Sequence, residues 1–504
     1  MKVWKIIYQI VFYLAAGLPL WAQEQPINGK PNIIYIYADD LGYAELGAYG
    51  QQQIKTPHLD RMASEGMRFT QHYSGAPVCA PSRCMLMTGK HAGHAYIRGN
   101  YPLGGGTDES ERGQMPLPEG TYTLPKMLQE AGYVTGMSGK WGLGMHNTTG
   151  SPLRQGFDYY FGYLDQRQAH SHYPTHLWEN DRQVPLNNTF IEVHRPLDPK
   201  TATKADFESF KGETFAPALM TARALDFIDA HQKRPFFLYL PYTLPHASLQ
   251  APDIYIDRYK DKFEDAPYYG QGGYASTLYP RATYAAMISF LDDQVGLIMD
   301  KIKELGLDEN TIIMFSSDNG TAFNGGVDYN FFKSVGGLHG FKMDVYEGGI
   351  REPFLVRWPG KVAPNSTSDL ISAQYDVMAT VAEVVDARLA NTDGVSFLPT
   401  LLGNDTKQQT RSFLYWEYPE KGGQLAIRMG DWKGVKVDLK NKPENPWMIF
   451  NLHTDPNETE DVADEHPDLG RRFDEIVKKE HQMSHLLQWE FIPNKRFRKT
   501  NQQE

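Results

Sequence analysis

The sequence predicts an α/β fold: a large, mostly parallel β-sheet sandwiched by helices, followed by a smaller C-terminal α+β subdomain carrying a short antiparallel sheet. Three observations carry this. Short continuous apolar runs alternate with longer helical periodicities through the first three quarters of the chain, as expected of strands buried on both faces between covering helices. After about residue 405 the pattern changes to short strands joined by glycine-containing turns. The chain has 504 residues, of which 41% are hydrophobic and 22% charged, enough for a large core and far from a disordered composition.

The strand candidates, in order, are Asn32–Ala38, Val134–Ser138, Phe236–Tyr242, Thr311–Ser316 and Phe354–Arg357. These are largely continuous apolar stretches, as expected of strands buried on both faces. The helix candidates are Pro57–Met67, Leu124–Ala131, Ala216–His231, Ala285–Leu305 and Tyr375–Val385, with Gly132 and Gly306 as stop signals. In the C-terminal part, Ser412–Tyr418, Gln424–Met429 and Trp432–Val437 read as antiparallel strands. A charged helix over Leu469–Leu487 follows, and the tail from Asn494 is polar. The predicted organisation is a segment removed on export (1–22), a catalytic α/β domain (23–405) and the C-terminal subdomain (406–504).

The export segment has Lys2 and Lys5 ahead of an uncharged apolar run, Ile6 to Leu20, with Ala22 at a plausible cleavage point. That is the build of a signal peptide and is shorter than a comfortable membrane span, so the mature protein is expected in the periplasm or outside the cell. The net charge of −11, from 50 Lys and Arg against 61 Asp and Glu, argues against a nucleic-acid partner. The only cysteines, Cys79 and Cys84, exclude a disulfide scaffold. On one helix they would point about 140° apart.

Two strand candidates run directly into polar ligands: one into Asp39-Asp40, the other into Asp318-Asn319. In open parallel sheets the ligand crevice lies beyond the carboxyl ends of the strands, so these groups converge there. Adjacent carboxylates repel unless a cation lies between them, and all-oxygen ligation favours Ca²⁺ or Mg²⁺ over zinc. Each pair taken alone is also an ordinary loop start or helix cap. A third element runs from Val78 to Gly89. Pro81 and Gly89 frame a short helix, with Cys79 at its N-terminus and Arg83 one turn on along the same face. A nucleophile, a guanidinium and a helix N-terminus together suit a tetrahedral oxyanion.

Cys79-Ala-Pro-Ser-Arg83, followed by Thr88-Gly89-Lys90, resembles the signature of the type I sulfatases of the alkaline-phosphatase-like superfamily. Asp39-Asp40-Leu-Gly42, Gly139-Lys140-Trp141, Asp318-Asn319-Gly320 and Glu347-Gly-Gly-Ile-Arg351 occur in the family's order. Ile449 to Pro456 with Glu458 resembles its terminal motif. The resemblance spans about residues 30 to 465. It implies that Cys79 is oxidised to formylglycine by a maturating enzyme. One hydroxyl of the aldehyde hydrate attacks sulfur, and the other expels sulfate as the aldehyde re-forms. It further implies one Ca²⁺ held by Asp39, Asp40, Asp318, Asn319 and residue 79. Arg83 would stabilise the hydrate, Lys140 and Lys342 would bind sulfate, and His246 would protonate the leaving alcohol.

One departure stands out. The family has a histidine two residues after the lysine of Gly-Lys-Trp, which assists proton removal during sulfate release; here that position is Gly142. His146 and His170 are the substitutes at hand, and His170 is favoured. The variant resembles a bacterial glycan-sulfatase branch, implying an exo-acting sulfatase on galactose- or N-acetylgalactosamine-type residues. Arg167, His170, Tyr173, His176, Trp178, Trp416 and Glu417 are candidate sugar contacts, the last two from the C-terminal subdomain. A phosphomonoester or phosphonate-ester hydrolase of the same superfamily, and a non-catalytic sulfated-glycan-binding homologue, are the alternatives.

Overall fold

The computed structural model describes residues 29–103, 110–389 and 391–492. The export segment 1–22 and the tail from Asn494 lie outside the described residues. Eleven strands form one mixed sheet. They are β1 (Asn32–Asp39), β2 (Met67–Tyr73), β3 (Val134–Lys140), β4 (Tyr159–Tyr163), β5 (His176–Glu179), β6 (Arg182–Pro185), β7 (Phe236–Pro245), β8 (Thr311–Ser317), β9 (Arg351–Arg357), β10 (Ser366–Ser368) and β11 (Ser372–Ala373).

The spatial order is β10-β2-β9-β8-β1-β7-β3-β4-β5-β6, with β11 beside β2. The centre is parallel: β1 pairs with both β7 and β8, β3 with β7, and β4 with β3. Antiparallel strands flank it, with β9 between β8 and β2 and the β5–β6 hairpin at the other side. Every residue of β1, β3, β7 and β8 is buried, which is why these four read as continuous apolar runs. Ile34, Ile36, Leu238, Leu240 and Phe315 pack under the helices Ala216–His231 and Pro280–Glu304.

Helix boundaries moved where local signals outweighed periodicity. The helix predicted to reach Met67 stops at Ser64, because Gly66 ends it and Met67 already belongs to β2. The long helix begins at Pro280 rather than Ala285, with proline in its first turn where the lost N–H costs nothing.

The second sheet is antiparallel: β12 (Leu414–Tyr418), β13 (Gln424–Met429), β14 (Trp432–Lys436) and β15 (Met448–Asn451). One face, with Trp416, Tyr418 and Ala426, packs on Tyr73, Val78 and Cys79. The other, with Leu425 and Ile427, packs on Leu469 and Phe473 of the helix Pro467–Glu480. A buried ionic knot ties this sheet down: Lys433 Nζ lies 2.9 Å from Glu347 Oε1 and 2.8 Å from Glu458 Oε1. Tyr73 Oη donates to Glu347 Oε2 at 2.7 Å, and the Glu347 amide donates to Glu458 Oε2 at 2.7 Å. Thus Glu347 and Glu458, both within recognisable motifs, here serve the packing of the two sheets.

The last helix stops at Glu480, seven residues before the predicted end, and His481 turns out of it. Its Nδ1 bonds Glu417 Oε1 at 2.8 Å, and its Nε2 lies 2.9 Å from Glu490 Oε1. Burial alone would lower its pKa, but the two carboxylates outweigh it and raise the value to about 9. Charged His481 therefore favours the folded state. The contribution is complete below the unfolded value of about 6.5 and fades as the pH rises through the folded one. His481→Asn is expected to cost about 1–2 kcal/mol at pH 6, discounted for partial exposure, and much less at pH 10. Urea midpoints at the two pH values check this.

Candidate active site

The four central parallel strands end side by side, and each delivers polar side chains at its carboxyl end. These are Lys140 from β3, His246 just after β7, Asp39 and Asp40 from β1, and Asp318 and Asn319 just after β8. This is the crevice position expected of an open parallel sheet. The helix Cys79–Thr88 sets Cys79 at its first turn and Arg83 four residues on, and Lys342 enters from the segment before Glu347. Asp39, Asp40, Cys79, Arg83, Lys140, His246, Asp318, Asn319 and Lys342 are all buried.

The contacts form a closed circuit. Lys140 Nζ donates to Asp39 Oδ2 at 2.6 Å. Arg83 donates to Asp318 Oδ2 through Nη2 (2.8 Å) and Nε (3.2 Å), and its Nη1 donates to the Lys140 carbonyl at 2.7 Å. Lys342 Nζ meets Asp40 Oδ2 at 2.7 Å, and Asn319 Nδ2 donates to Asp40 Oδ1 at 2.7 Å. Cys79 Sγ faces Asp39 Oδ1 at 3.5 Å, and His246 Nε2 lies 3.6 Å from Asp40 Oδ2.

Burial would raise Asp39, but Lys140, His246, Arg83 and Lys342 hold it well below the usual carboxylate range. Asp40 and Asp318 go the other way. Burial raises both, and neighbouring carboxylates add to it. Burial also pushes the Cys79 thiol far up, so that as a thiol it is protonated and a poor nucleophile.

The donor set fits a hard divalent cation. Asp39 and Asp40 each offer a carboxylate oxygen within 4.8 Å of the other, Asp318 lies beside them with Oδ1 accepting from the Asp40 amide at 3.1 Å, and buried Asn319 Oδ1 has no hydrogen-bond partner among the described residues. An orphaned buried carboxamide oxygen beside crowded carboxylates is what a cation would satisfy. One ligand atom from each of Asp39, Asp40, Cys79 and His246 also lies within 4.8 Å of the others.

A histidine cluster lines one side. The His170 ring stacks on His246 with centroids 5.2 Å apart, and Tyr274 stands edge-on to His170 and His246 at 4.9 and 5.7 Å. His172, from the same histidine-rich stretch, sits beneath. Its Nδ1 pairs with Thr243 Oγ1 at 3.0 Å and its Nε2 with the His246 carbonyl at 3.1 Å. Tyr274 and His194 escaped the sequence reading, because nothing local marks an isolated ring in a loop as part of a distant crevice.

Gly142 has φ +75°, and a Cβ there would stand 2.3 Å from Gln166 Nε2. The positive φ strains any side chain at this position, and Gln166 would have to move to admit one. His146 does not replace it: it stacks on Trp178 at 4.2 Å. His170 is the histidine beside the crevice.

Several candidate sugar contacts need correction. Trp416 is fully buried, and its Nε1 donates to the Ser74 carbonyl. Glu417 points to the other face of β12 and is taken by Arg98 at 3.1 Å and by His481. A strand alternates its faces, so one residue goes to the core and the next to a salt bridge. Tyr173 is core, packed on Phe215. His176 and Trp178 are both turned onto Glu111, at 2.9 and 3.1 Å. Arg167 is exposed. The first amide of the Cys79 helix able to meet an anion, that of Ala80, is instead capped by Asn100 Oδ1 at 3.1 Å. Cys79 and Cys84 are both free and buried.

Comparison with known proteins agrees with this geometry. The sulfatase family model matches residues 31–387, and that of the C-terminal part of N-sulphoglucosamine sulphohydrolase matches residues 337–485. The chain is 31% identical to an N-acetylgalactosamine-6-O-sulfatase of Bacteroides thetaiotaomicron, over 89% of this chain and 93% of that protein. It is 32% identical to arylsulfatase A of Bos taurus, over 94% and 90%. Among solved structures, that of Ps i-CgsB superposes with a TM-score of 0.72 at 27% identity, covering 93% of this chain and 96% of that one. The buried cysteine of Cys-Ala-Pro-Ser-Arg, set among carboxylates at the ends of parallel strands, lies within the matched region. The chain belongs to the sulfatase family, hydrolases of sulfuric esters with the alkaline-phosphatase-like fold.

Proposed function

We propose that this protein is an exported, calcium-dependent, exo-acting sulfatase of galactose- or N-acetylgalactosamine-type sugars, and that Cys79 is converted to formylglycine. The observation that supports this is the buried meeting of Asp39 and Asp40 with residue 79, beside Asp318 and the unpartnered Asn319 Oδ1, around a cysteine too buried to ionise. Residue 79 with those four would hold the cation. Bound there, Ca²⁺ and the converted side chain supply an acidified hydroxyl nucleophile and a Lewis acid for a sulfate oxygen.

The other steps belong to residues in place. Lys140 and Lys342, each already on a carboxylate, present ammonium groups to the sulfate and to charge building on the bridging oxygen. Arg83 is locked to Asp318 and the Lys140 carbonyl and so fixes the floor beneath residue 79. The His246 ring pairs through Nδ1 with the Ala247 carbonyl, which leaves Nε2 for the leaving alcohol. Burial and Lys342 keep the free ring neutral. A sulfate anion between the two lysines would offset them and raise the ring's proton affinity. His170, stacked on His246, is the residue we assign to accept the proton whose removal releases sulfate.

Relatives named N-acetylgalactosamine-6-sulfatases motivate the sugar. Protein co-produced with a formylglycine-generating enzyme is expected to release sulfate from 6-sulfated N-acetylgalactosamine or galactose, with the modification at residue 79 seen by peptide mass. No release from any galacto-configured sugar would overturn the assignment. Comparable turnover of phosphate esters would point to the phosphatase alternative. Chelation with EGTA is expected to lower the rate at least about tenfold and the thermal midpoint by several degrees. An ion present at a hundred times its Kd contributes about 2.7 kcal/mol. Added Ca²⁺ should restore both.

A further inference from the structure

We propose that His194 is a positioning residue for His170: it holds the His170 ring by a side-chain hydrogen bond and fixes the tautomer in which Nε2 accepts a proton. This rests on the role given to His170 above. His170 Nδ1 and His194 Nε2 are 3.2 Å apart, and no other side chain bonds the His170 ring among the described residues. His170 is also held by its surroundings. Its backbone carbonyl takes the Ser248 amide at 3.2 Å, its ring stacks on His246, and Tyr274 stands edge-on to it. The same Tyr274 ring lies 5.4 Å from His194. His194 is itself placed by its amide, which donates to Glu192 Oε1 at 3.2 Å.

The direction of the hydrogen bond follows from charge. A neutral imidazole carries one N–H, so one nitrogen donates and the other accepts. Burial, His246, Lys140, His194 and Lys342 all oppose a charge on the His170 ring, so it rests neutral. The positive charges of Lys140 and Lys342 bear on this ring, and a lone pair turned toward positive charge is more stable than an N–H dipole. In the tautomer proposed here, Nδ1, the nitrogen engaged by His194, keeps the proton and donates it to His194 Nε2. Nε2 of His170 is then left as the acceptor. His194 carries its own proton on Nδ1 and is partly open to solvent. Without His194, water would compete for Nδ1, both tautomers would be populated, and the ring would be free to turn.

The test is steady-state kinetics on the matured full-length protein with one sulfated sugar it turns over. His170→Ala is expected to lower kcat about 10²–10⁴-fold, the range of a general base. His194→Phe keeps the ring contacts with His170 and Tyr274 but not the hydrogen bond. It is expected to lower kcat about 10–100-fold, as for other residues that orient a reacting imidazole, with KM within about twofold. His194→Gln places an amide oxygen where Nε2 was and should recover most of the loss. In the double variant His170→Ala/His194→Phe the losses should not multiply. Full activity of His170→Ala would overturn the role of His170 itself. A large effect of His170→Ala with wild-type kcat for His194→Phe, or with multiplying losses, would overturn the positioning role alone. A loss confined to KM and thermal stability, not rescued by glutamine, would show that His194 is only structural.

Discussion

Cys79→Ala is expected to reduce sulfate release at least about 10³-fold, to the level of the uncatalysed background in most assays, without unfolding the protein. The loss is large because every charged group in the crevice is arranged around this one side chain. The fold should survive, since among the described residues the thiol makes one long polar contact, 3.5 Å to Asp39, and alanine keeps the Cβ in its apolar cluster. Initial rates, with the thermal midpoint as the control, decide the matter. Retention of a tenth of the activity would mean that residue 79 is not the nucleophile.

Lys433→Met is expected to be the most destabilising single change outside the crevice, by about 3–5 kcal/mol. The lysine is fully buried between Glu347 and Glu458. Removing it leaves two carboxylates facing each other in a medium that cannot solvate them. Glu347 is held ionised, because burial is outweighed by Lys433, Arg428 and Arg351, whereas burial raises Glu458. Of the two, Glu458 is the one to protonate. Lys433→Met/Glu458→Gln should therefore recover part of the loss, and urea denaturation of the single and double variants measures it.

How much of this was legible depended on burial. β1, β3, β7 and β8 were readable because strands covered on both faces carry continuous apolar runs. Asp39, Asp40, Asp318 and Asn319 followed from where those runs stop. β5 and β6 were not among the strand candidates, since a short hairpin with sequence His-Leu-Trp-Glu and Arg-Gln-Val-Pro has no run to detect. β15 was hidden for a similar reason: four residues give too little pattern. The resemblance placed Lys342 and His246, which no periodicity marks. The sugar contacts failed where residue type was used without a facing direction. Trp416 and Glu417 are the kinds of side chain that hold sugars, but one faces the core and the other faces Arg98. His194 had no local signal at all, because its partner is twenty-four residues away across a loop.

The depth of Cys79 also sets an order of events in the life of the chain. Only 2% of this residue is accessible once the small sheet has packed over it, with Trp416 and Tyr418 in the same apolar cluster. No enzyme can reach such a side chain in the finished molecule. Whatever acts on it must do so on the nascent or still-extended polypeptide, before the C-terminal strands, made last, close the lid. On the proposed conversion of residue 79, synthesis rate, maturation rate and folding rate are in competition. A variant that folds faster is expected to be matured less completely.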